Sequence, residues 1–262
     1  MKISKILKVS IKAALKAGEK ILEIYHSDQY EAILKKDGLP LTKADKASHS
    51  TIVKELSKWS IPILSEEGAE IDYTTRKKWS KFWLIDPLDG TKEFIKKNGE
   101  FTVNIALIEN KIPVLGVVYT PVTKELYFSE KDLGSFKIES ITKFDELSLK
   151  RGINLSKSNS PKDYTIVVSR SHLNKDTTDF ITEKKQKFKE IILKQFGSSL
   201  KICKVAENKA HCYPRLGPTM EWDTAAAHAV VKYSGKSLVK FNSKDELTYN
   251  KESLLNPFFV AE

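Results

Sequence analysis

The most informative stretch of this chain is a turn that carries two aspartates, Asp86 and Asp89. The turn offers two carboxylates with the backbone carbonyl of Leu88 between them, and Mg²⁺ prefers carboxylate and carbonyl oxygens in near-octahedral geometry. Gly90 and Thr91 then open a predicted short helix, whose first N–H groups and positive dipole end favour a phosphate. A metal and a phosphate side by side indicate phosphoryl chemistry.

Each candidate carboxylate also has a structural interpretation when it is taken alone. Aspartates are favoured in turns, and a glutamate such as Glu66, just beyond a predicted strand, is commonplace. Asp223 near the start of a predicted helix complements the helix dipole. Asp45 follows Thr42 at the spacing of a capping box, which stabilises the first turn of a helix. No single residue therefore identifies the site.

The co-occurrence of these carboxylates favours a metal site. Glu66, Asp86 and Asp89 lie at the carboxyl ends of predicted strands or in the turn beyond, where open α/β sheets place their sites. Asp223 begins a helix that can close the same cleft. Carboxylates gathered there repel one another strongly without a cation, and two metal ions about 3.5–4 Å apart would also clamp an in-line displacement. Asp86 can bridge the two ions, with Glu66 and the Leu88 carbonyl completing one shell and Asp89 and Asp223 the other.

The composition excludes several classes of protein. The 262 residues are 40% hydrophobic and 30% charged, which is typical of a globular protein. No apolar stretch approaches the roughly 20 residues that span a membrane. Residues 1–25 alternate lysines with apolar residues at helical spacing, which predicts an amphipathic helix rather than a signal peptide. Cys203 and Cys212 lack metal-ligand spacing and are expected to be free thiols in a reducing cytoplasm.

The net charge of +10 is compatible with nucleic-acid binding, but its distribution argues against a polymer. Only four of the 44 basic residues are arginines, and arginine is enriched where phosphates or bases are recognised by paired hydrogen bonds. The lysines are spread along the whole chain, which is typical of a solvated surface. A positive field would still attract a small polyanionic substrate.

The elements that must position the candidate residues follow from the hydrophobic periodicity. Their order indicates an α+β first half and an α/β second half, which favours layered packing. Polar, irregular residues 140–160 predict a boundary between a subdomain over 1–145, with the metal site, and one over 146–262, which contributes Asp223 and substrate contacts. The periodicity predicts helices over 3–25, 43–59, 91–97, 174–187, 199–208 and 221–233, and strands over 61–64, 81–86, 101–109, 111–119, 125–129, 134–138, 164–170, 189–196, 210–215 and 237–241.

The sequence resembles the magnesium-dependent, lithium-sensitive phosphatase superfamily of inositol monophosphatase and fructose-1,6-bisphosphatase. The resemblance covers essentially the whole chain, and its most specific motifs are Asp86-Pro87-Leu88-Asp89-Gly90-Thr91-Lys92-Glu93-Phe94 and Asn98-Gly99-Glu100-Phe101-Thr102-Val103-Asn104-Ile105-Ala106-Leu107. Inositol monophosphatases usually carry Asn where Glu93 stands, so Lys92-Glu93-Phe94 favours the 3′(2′),5′-bisphosphate nucleotidase branch. Gly197-Ser198-Ser199-Leu200-Lys201 is also similar to that branch.

The resemblance implies a fold and a set of roles. The fold is an α+β layered sandwich, α-β-α-β-α, of the inositol monophosphatase/fructose-1,6-bisphosphatase-like sugar phosphatases. Asp45 and Thr91, with Glu66, would orient and activate the nucleophilic water. Two or three Mg²⁺ ions per active site would be held by the side chains of Glu66, Asp86, Asp89 and Asp223 and by the Leu88 carbonyl.

The implied substrate contacts come from both halves of the chain. Two serines and a lysine at a predicted helix start, within 198–201, suit a second phosphate. Arg170 and Arg215 are candidates for phosphate or base contacts, with surface or interdomain ion pairs as the alternative, and His172 is a candidate for the nucleoside pocket. The implied substrate-binding residues are Glu66, Leu88, Asp89, Gly90, Thr91, Ser198, Ser199, Lys201, Arg215 and Asp223.

The implied function is Mg²⁺-dependent hydrolysis of the 3′-phosphate of adenosine 3′,5′-bisphosphate to AMP and phosphate, in sulfur assimilation, with 3′-phosphoadenosine 5′-phosphosulfate as a further candidate substrate. The alternatives are an inositol monophosphatase, a fructose-1,6-bisphosphatase-like sugar phosphatase or, more remotely, a non-catalytic nucleotide- or RNA-binding protein. The expected partner is a small nucleotide bisphosphate and not a nucleic-acid polymer. We expect a cytoplasmic monomer or homodimer without a transmembrane segment, either free or peripheral on the inner face of the cell membrane.

Overall fold

The hydrophobic periodicity produces an ordered series of helices and strands in the computed structural model of this protein, which describes residues 2–27, 32–34, 40–170 and 174–262. Within these ranges, no helix combines the length and the hydrophobicity that crossing a membrane requires. The described helices are α1 (Lys5–Tyr25), α2 (Lys43–Leu56), α3 (Tyr73–Arg76), α4 (Thr91–Ile95), α5 (Glu146–Lys150), α6 (Lys175–Lys187), α7 (Leu200–Ala206) and α8 (Glu221–Tyr233). The described strands are β1 (Ala32–Leu34), β2 (Pro40–Thr42), β3 (Ile63–Ser65), β4 (Lys81–Asp89), β5 (Thr102–Glu109), β6 (Ile112–Thr120), β7 (Glu125–Glu130), β8 (Gly134–Ile138), β9 (Ile153–Asn154), β10 (Tyr164–Ser169), β11 (Ile191–Phe196), β12 (Tyr213–Arg215), β13 (Leu238–Lys240) and β14 (Phe259–Ala261).

One mixed sheet has the strand order β3-β4-β5-β6-β7-β8-β9. In this sheet β3 and β4 are parallel, and the other neighbouring pairs are antiparallel. The helices α1 and α2 pack together and cover one face on β4, β5 and β6, while α8 covers the other face from β4 to β8. Because both faces are covered, β4 and β5 are nearly continuous buried runs and do not alternate between apolar and polar residues.

The second half of the chain builds another layer of strands beyond the same helical layer. The strands β10 and β11 are parallel, and β12, β14 and β13 form an antiparallel sheet in that order. A bridge between Ile166 and Cys212 joins the two groups of strands. The helix α7 packs on α8 and on β10, β11 and β12, and α6 contacts β12. The layers therefore run α-β-α-β-α, which confirms the fold that the resemblance implies.

The element boundaries differ from the sequence predictions beside the candidate site. The strand β4 continues through Asp89 and does not end at Asp86, because its pairing with β5 resumes at Asp89 after an irregularity. The helix predicted over 91–97 ends at Ile95, and Lys97 has a left-handed φ of 56°, which a helix cannot continue through. The periodicity also misses the short elements α3, α5 and β14, which have four, five and three residues.

The subdomain boundary after residue 145 stays a prediction. The strand β9 lies just beyond that boundary and pairs with β8. The helix α8 lies far beyond it and packs against the first sheet. The two halves of the chain therefore share the central helical layer.

Gly116, in the middle of β6, allows the first sheet to approach α8 closely. A Cβ at this position would collide with the backbone carbonyl oxygen of Ala226 and would lie 2.7 Å from Ala229 Cβ. Overpacking of this kind costs about 1–3 kcal/mol, so we expect Gly116→Ala to lower the free energy of unfolding by that amount. Urea unfolding followed by circular dichroism measures the change. The control is Gly217→Ala, where the atoms nearest to a new Cβ are 4.0 Å away, and equal stability of the two variants would contradict this packing.

Candidate active site

The turn between Asp86 and Asp89 is held from two sides. The strand β4 pairs with β5 up to Asp86 and again at Asp89. Pro87, which has no N–H, lies in the interruption, and its carbonyl oxygen accepts a bond of 2.6 Å from Ser48 Oγ on α2. Leu88 N donates to Asp86 Oδ1 at 3.1 Å. The backbone that carries both aspartates is therefore fixed by its own strand and by a helix.

One cavity of about 590 Å³ brings the candidate carboxylates together from both halves of the chain. Glu66 lines it from just beyond the end of β3, and Asp86 and Asp89 line it from β4. Asp223 lines it from the first turn of α8. The other predicted residues in this lining are Leu88, Gly90, Thr91 and Arg215.

Asp45 caps a helix and contacts Thr91 at the same time. Its Oδ2 accepts bonds from Thr42 N at 2.7 Å and from Thr42 Oγ1 at 2.6 Å, which completes a capping box at the start of α2. Thr91 Oγ1 donates to Asp45 Oδ1 at 3.3 Å and lies 3.5 Å from the Leu88 carbonyl oxygen. Asp45 can therefore cap α2 and also orient a water molecule with Thr91, because the cap holds its carboxylate against Thr91.

Burial and the other carboxylates that line this cavity raise the pKa of Asp86. Asp86 is 1% exposed, and burial raises its pKa well above the usual range. The negative charges of Glu66, Asp89 and Asp223 raise it further. Burial, and next the charge of Asp89, also raises the pKa of Asp223, although the Met220 N–H opposes this shift. A negative charge on Asp86 or Asp223 therefore costs free energy unless positive charge compensates it.

Asp89 is held by residues from the second half of the chain. Its Oδ2 accepts bonds from Ser199 N at 2.7 Å, Ser199 Oγ at 2.7 Å and Ser198 Oγ at 2.6 Å. Asn104 Nδ2, on β5, donates to Ser199 Oγ at 2.8 Å. Sequence reasoning misses Asn104, although a polar residue inside the apolar run of β5 is a signal that could have identified it. Because three donors fix one oxygen of Asp89, they also set the direction of the other.

The donor set fits a hard divalent cation. Carboxylate oxygens and a backbone carbonyl are ligands that Mg²⁺ prefers, and a cation would compensate the charges that raise the pKa of Asp86. Asp89 and Asp223 engage protein donors, and in the described part of the chain no three Asp, Glu, His or Cys side chains are grouped as a metal site. The assignment of individual residues as metal ligands therefore stays a prediction.

A smaller cavity of about 140 Å³ shares part of its wall with the larger one, and basic as well as acidic side chains line it. Lys201 lines it, and burial lowers the pKa of this lysine to about 8. Lys201 Nζ donates to Ser198 O at 2.7 Å. Arg215 also lines this cavity, and its Nη2 donates to Pro218 O at 2.8 Å. This cavity thus brings together seven of the predicted substrate contacts: Asp89, Gly90, Ser198, Ser199, Lys201, Arg215 and Asp223.

Arg170 and His172 are two further residues that the sequence suggests as substrate contacts, and Arg170 is not among the residues that line these cavities. Arg170 forms paired bonds with Glu100, from Nη2 to Oε1 at 2.6 Å and from Nε to Oε2 at 3.2 Å. The ion-pair alternative therefore applies to Arg170. His172 lies outside the described residues.

Comparisons with known proteins give one consistent family. The model of the inositol monophosphatase family matches residues 2–257. The 3′(2′),5′-bisphosphate nucleotidase CysQ of Salmonella typhimurium is 43% identical over 94% of this chain and 95% of its own length. The CysQ nucleotidase of Buchnera aphidicola is 41% identical over 98% of this chain and 93% of its own. The crystal structure of CysQ from Bacteroides thetaiotaomicron matches with a TM-score of 0.91 and 45% identity, over 98% of this chain and 96% of that chain.

The repulsion among the carboxylates predicts how the metal-free protein responds to loss of one charge. We expect Asp86→Asn, which keeps an acceptor for Leu88 N, to raise the melting temperature in EDTA at pH 8. A gain of about 2–4 °C corresponds to about 1 kcal/mol in a domain of this size. We expect Mg²⁺ to stabilise the wild-type protein more than this variant. Differential scanning calorimetry measures both effects.

The control for this experiment is Asp245→Asn. The Asp245 side chain is 70% exposed, so its replacement removes one negative charge without relieving a buried one. Equal melting temperatures of Asp86→Asn and wild-type protein in EDTA would contradict the electrostatic description of the cavity.

Proposed function

This chain belongs to the inositol monophosphatase family, and we propose that it is a Mg²⁺-dependent 3′(2′),5′-bisphosphate nucleotidase. In this proposal it removes the 3′-phosphate of adenosine 3′,5′-bisphosphate and releases AMP and phosphate. The CysQ nucleotidases that resemble it over nearly their whole length support this substrate class. The observation that carries the proposal is that the cavity lined by the candidate metal ligands adjoins a smaller one where Lys201 and Arg215 lie beside acidic residues. Two adjoining cavities of this kind suit a substrate with two separate phosphates.

The carboxylate cavity is the proposed binding site for the metal ions and for the phosphate that is cleaved. The family is metal-dependent. When bound, Mg²⁺ polarises phosphoryl oxygens and compensates the charge that develops during displacement. Asp86 interacts electrostatically with all three of the other carboxylates, which favours it as the shared ligand. We assign two or three Mg²⁺ ions to Glu66, Asp86, Asp89, Asp223 and the Leu88 carbonyl.

Asp45 and Thr91 are the proposed pair that orients the attacking water. Thr91 Oγ1 donates to Asp45 Oδ1, so the Thr91 oxygen can accept a hydrogen bond from water. Thr91 can then take a proton from that water while it passes its own to Asp45, whose other oxygen is held by Thr42. Glu66 lines the same cavity and is the proposed third member of this group.

The smaller cavity is the proposed site of the second phosphate. Burial lowers the pKa of Lys201 to about 8, and the charge of Arg215 also lowers it, whereas neighbouring carboxylates, first of all Asp89, oppose the shift. A 5′-phosphate beside both residues would compensate their charges and would accept bonds from a lysine and a guanidinium. Inositol 1-phosphate has one phosphate, so it would lack the bonds that a second phosphate makes with these two residues. Fructose 1,6-bisphosphate also has two phosphates, so the assay must compare all three compounds.

The proposed substrate class also suggests a cellular setting. We propose a cytoplasmic enzyme of sulfur assimilation, either a monomer or a homodimer, that also accepts 3′-phosphoadenosine 5′-phosphosulfate. Cys203 and Cys212 are free and buried, in keeping with a reducing compartment.

Turnover by the wild-type protein and by Asp89→Asn tests the proposed function. We expect the wild-type protein to release phosphate faster from adenosine 3′,5′-bisphosphate than from inositol 1-phosphate or fructose 1,6-bisphosphate. This activity should require Mg²⁺ and be inhibited by Li⁺. We expect Asp89→Asn to lower kcat/KM by about 100-fold or more, because loss of a metal ligand should cost at least as much as loss of a residue that supports one.

The exposed Asp245→Asn is again the matched control for Asp89→Asn. Unimpaired turnover by Asp89→Asn would refute the metal assignment. Fastest turnover of inositol 1-phosphate would refute the substrate and leave the phosphatase chemistry in place.

Lys201→Met tests the role of the smaller cavity in binding the second phosphate. We expect this variant to lower kcat/KM for adenosine 3′,5′-bisphosphate by about 10- to 100-fold, since a hydrogen bond to a charged group contributes about 1.5–3 kcal/mol. The rate on 3′-AMP, which lacks the 5′-phosphate, should change little. Lys209→Met, at an exposed position, is the control. Equal losses on both substrates would place Lys201 elsewhere than at the second phosphate.

A further inference from the structure

We propose that Glu100 is a positioning residue that sets the Mg²⁺ affinity of the site through Asp89, an inference that rests on the proposed metal role of Asp89. Glu100 lies in the connection between α4 and β5, and its carboxylate contacts the ends of two strands from the other half of the chain. Its Oε2 accepts a bond of 2.8 Å from Gly197 N, just beyond β11. Both of its oxygens accept bonds from Arg170, just beyond β10.

Gly197 connects Glu100 to the donors of Asp89. It directly precedes Ser198 and Ser199, whose hydroxyls and one N–H converge on Asp89 Oδ2. Ser198 has a left-handed φ of 53°, a conformation that residues other than glycine adopt rarely. Its surroundings must therefore hold this backbone path, and the bond from Gly197 N to Glu100 is a restraint one residue before it.

Gly197 also packs tightly against Glu100 and Glu93, which strengthens this restraint. A Cβ at Gly197 would lie 2.8 Å from the Glu100 carbonyl oxygen, 2.9 Å from Glu93 Cγ and 3.0 Å from Glu100 Cβ. The segment that carries the two serines therefore lies directly against the segment that carries Glu100. A displacement of one segment displaces the other.

Arg170 compensates the negative charge of Glu100, which lies near the carboxylate cavity. The paired bonds from its guanidinium compensate the charge of Glu100, so Glu100 adds little to the repulsion in the carboxylate cavity. Glu100 and Arg170 are both described in the structure, and neither is among the residues that line the two cavities. The contacts that connect them to a bound metal therefore run through the serine segment and Asp89.

Mg²⁺ binding by Glu100→Ala is the central measurement. Isothermal titration calorimetry of the metal-free protein gives the affinity without substrate, and steady-state kinetics give the Mg²⁺ concentration for half-maximal activity. We expect both to weaken by about tenfold, the low end of the range for residues that support a metal ligand. The kcat at saturating Mg²⁺ should return to the wild-type value, because the ligand itself is still present.

Glu100→Gln separates the hydrogen bond from the charge. Glu100 also interacts electrostatically with Lys201, so loss of its charge could act on the second cavity. Glutamine removes the charge but keeps an oxygen that can accept from Gly197 N, and we expect it to restore most of the Mg²⁺ affinity. The matched control is Glu109→Ala, which breaks an exposed ion pair with Lys81 at the far end of β5.

Each outcome decides the inference. Wild-type Mg²⁺ affinity in Glu100→Ala, or a loss of kcat that saturating Mg²⁺ does not restore, would overturn it. Equal losses in Glu100→Ala and Glu100→Gln would assign the effect to charge and would also overturn it. If Glu100→Ala does not fold, Gly197→Ala disturbs the same contact with Glu100 intact and must show the same weakened affinity.

The test also separates this inference from the proposed function. Calorimetry needs no substrate, so an incorrect substrate assignment leaves the measurement valid. Unchanged Mg²⁺ binding by Asp89→Asn would show that the metal role of Asp89 is at fault, whereas weakened binding by Asp89→Asn with normal binding by Glu100→Ala would reject Glu100 alone.

Discussion

The repulsion among carboxylates in one buried cavity is the interaction on which the rest of this structure depends. Burial and three neighbouring acids raise the pKa of Asp86, and a group of this kind persists only where other contacts hold it or positive charge compensates it. Several hydrogen bonds near the site hold the acidic residues or their backbone in place. Ser48 holds the carbonyl of Pro87 in the turn, a capping box holds Asp45, and two serines hold one oxygen of Asp89.

The central helical layer gives these contacts their positions. It lies between the two layers of strands, and it delivers Asp223 from the first turn of α8 and the serines from just before α7. The closeness of β6 to α8 at Gly116 belongs to the same arrangement, because the depth at which α8 lies sets the depth of Asp223. The packing of α8 in the core and the position of Asp223 in the site are therefore coupled, and a shift of α8 would change both.

The two adjoining cavities link the structure to the proposed substrate class. Asp89, Asp223 and Arg215 line both cavities, whereas Glu66 and Asp86 line only the larger one and Lys201 lines only the smaller one. In the proposed function, metal ions compensate the carboxylates and hold the phosphate that is cleaved, and the other phosphate of the nucleotide lies beside Lys201 and Arg215. The net charge of +10 suits the attraction of such a ligand.

The sequence by itself determined the local features of this protein. The Asp86–Asp89 turn, the capping-box spacing of Asp45, the long helices and the buried strands all follow from near neighbours in the chain, because hydrogen bonds and periodicity act over a few residues. The strand β14 was missed, because a segment of three residues carries little periodic signal of its own. Only the tertiary structure decided which distant groups meet. The sequence left Arg170 open between a substrate contact and an ion pair, and in the structure it pairs with Glu100, 70 residues away. The convergence of Ser198 and Ser199 on Asp89 was likewise decided by the packing of α7 and α8 between two sheets, which no spacing along the chain encodes.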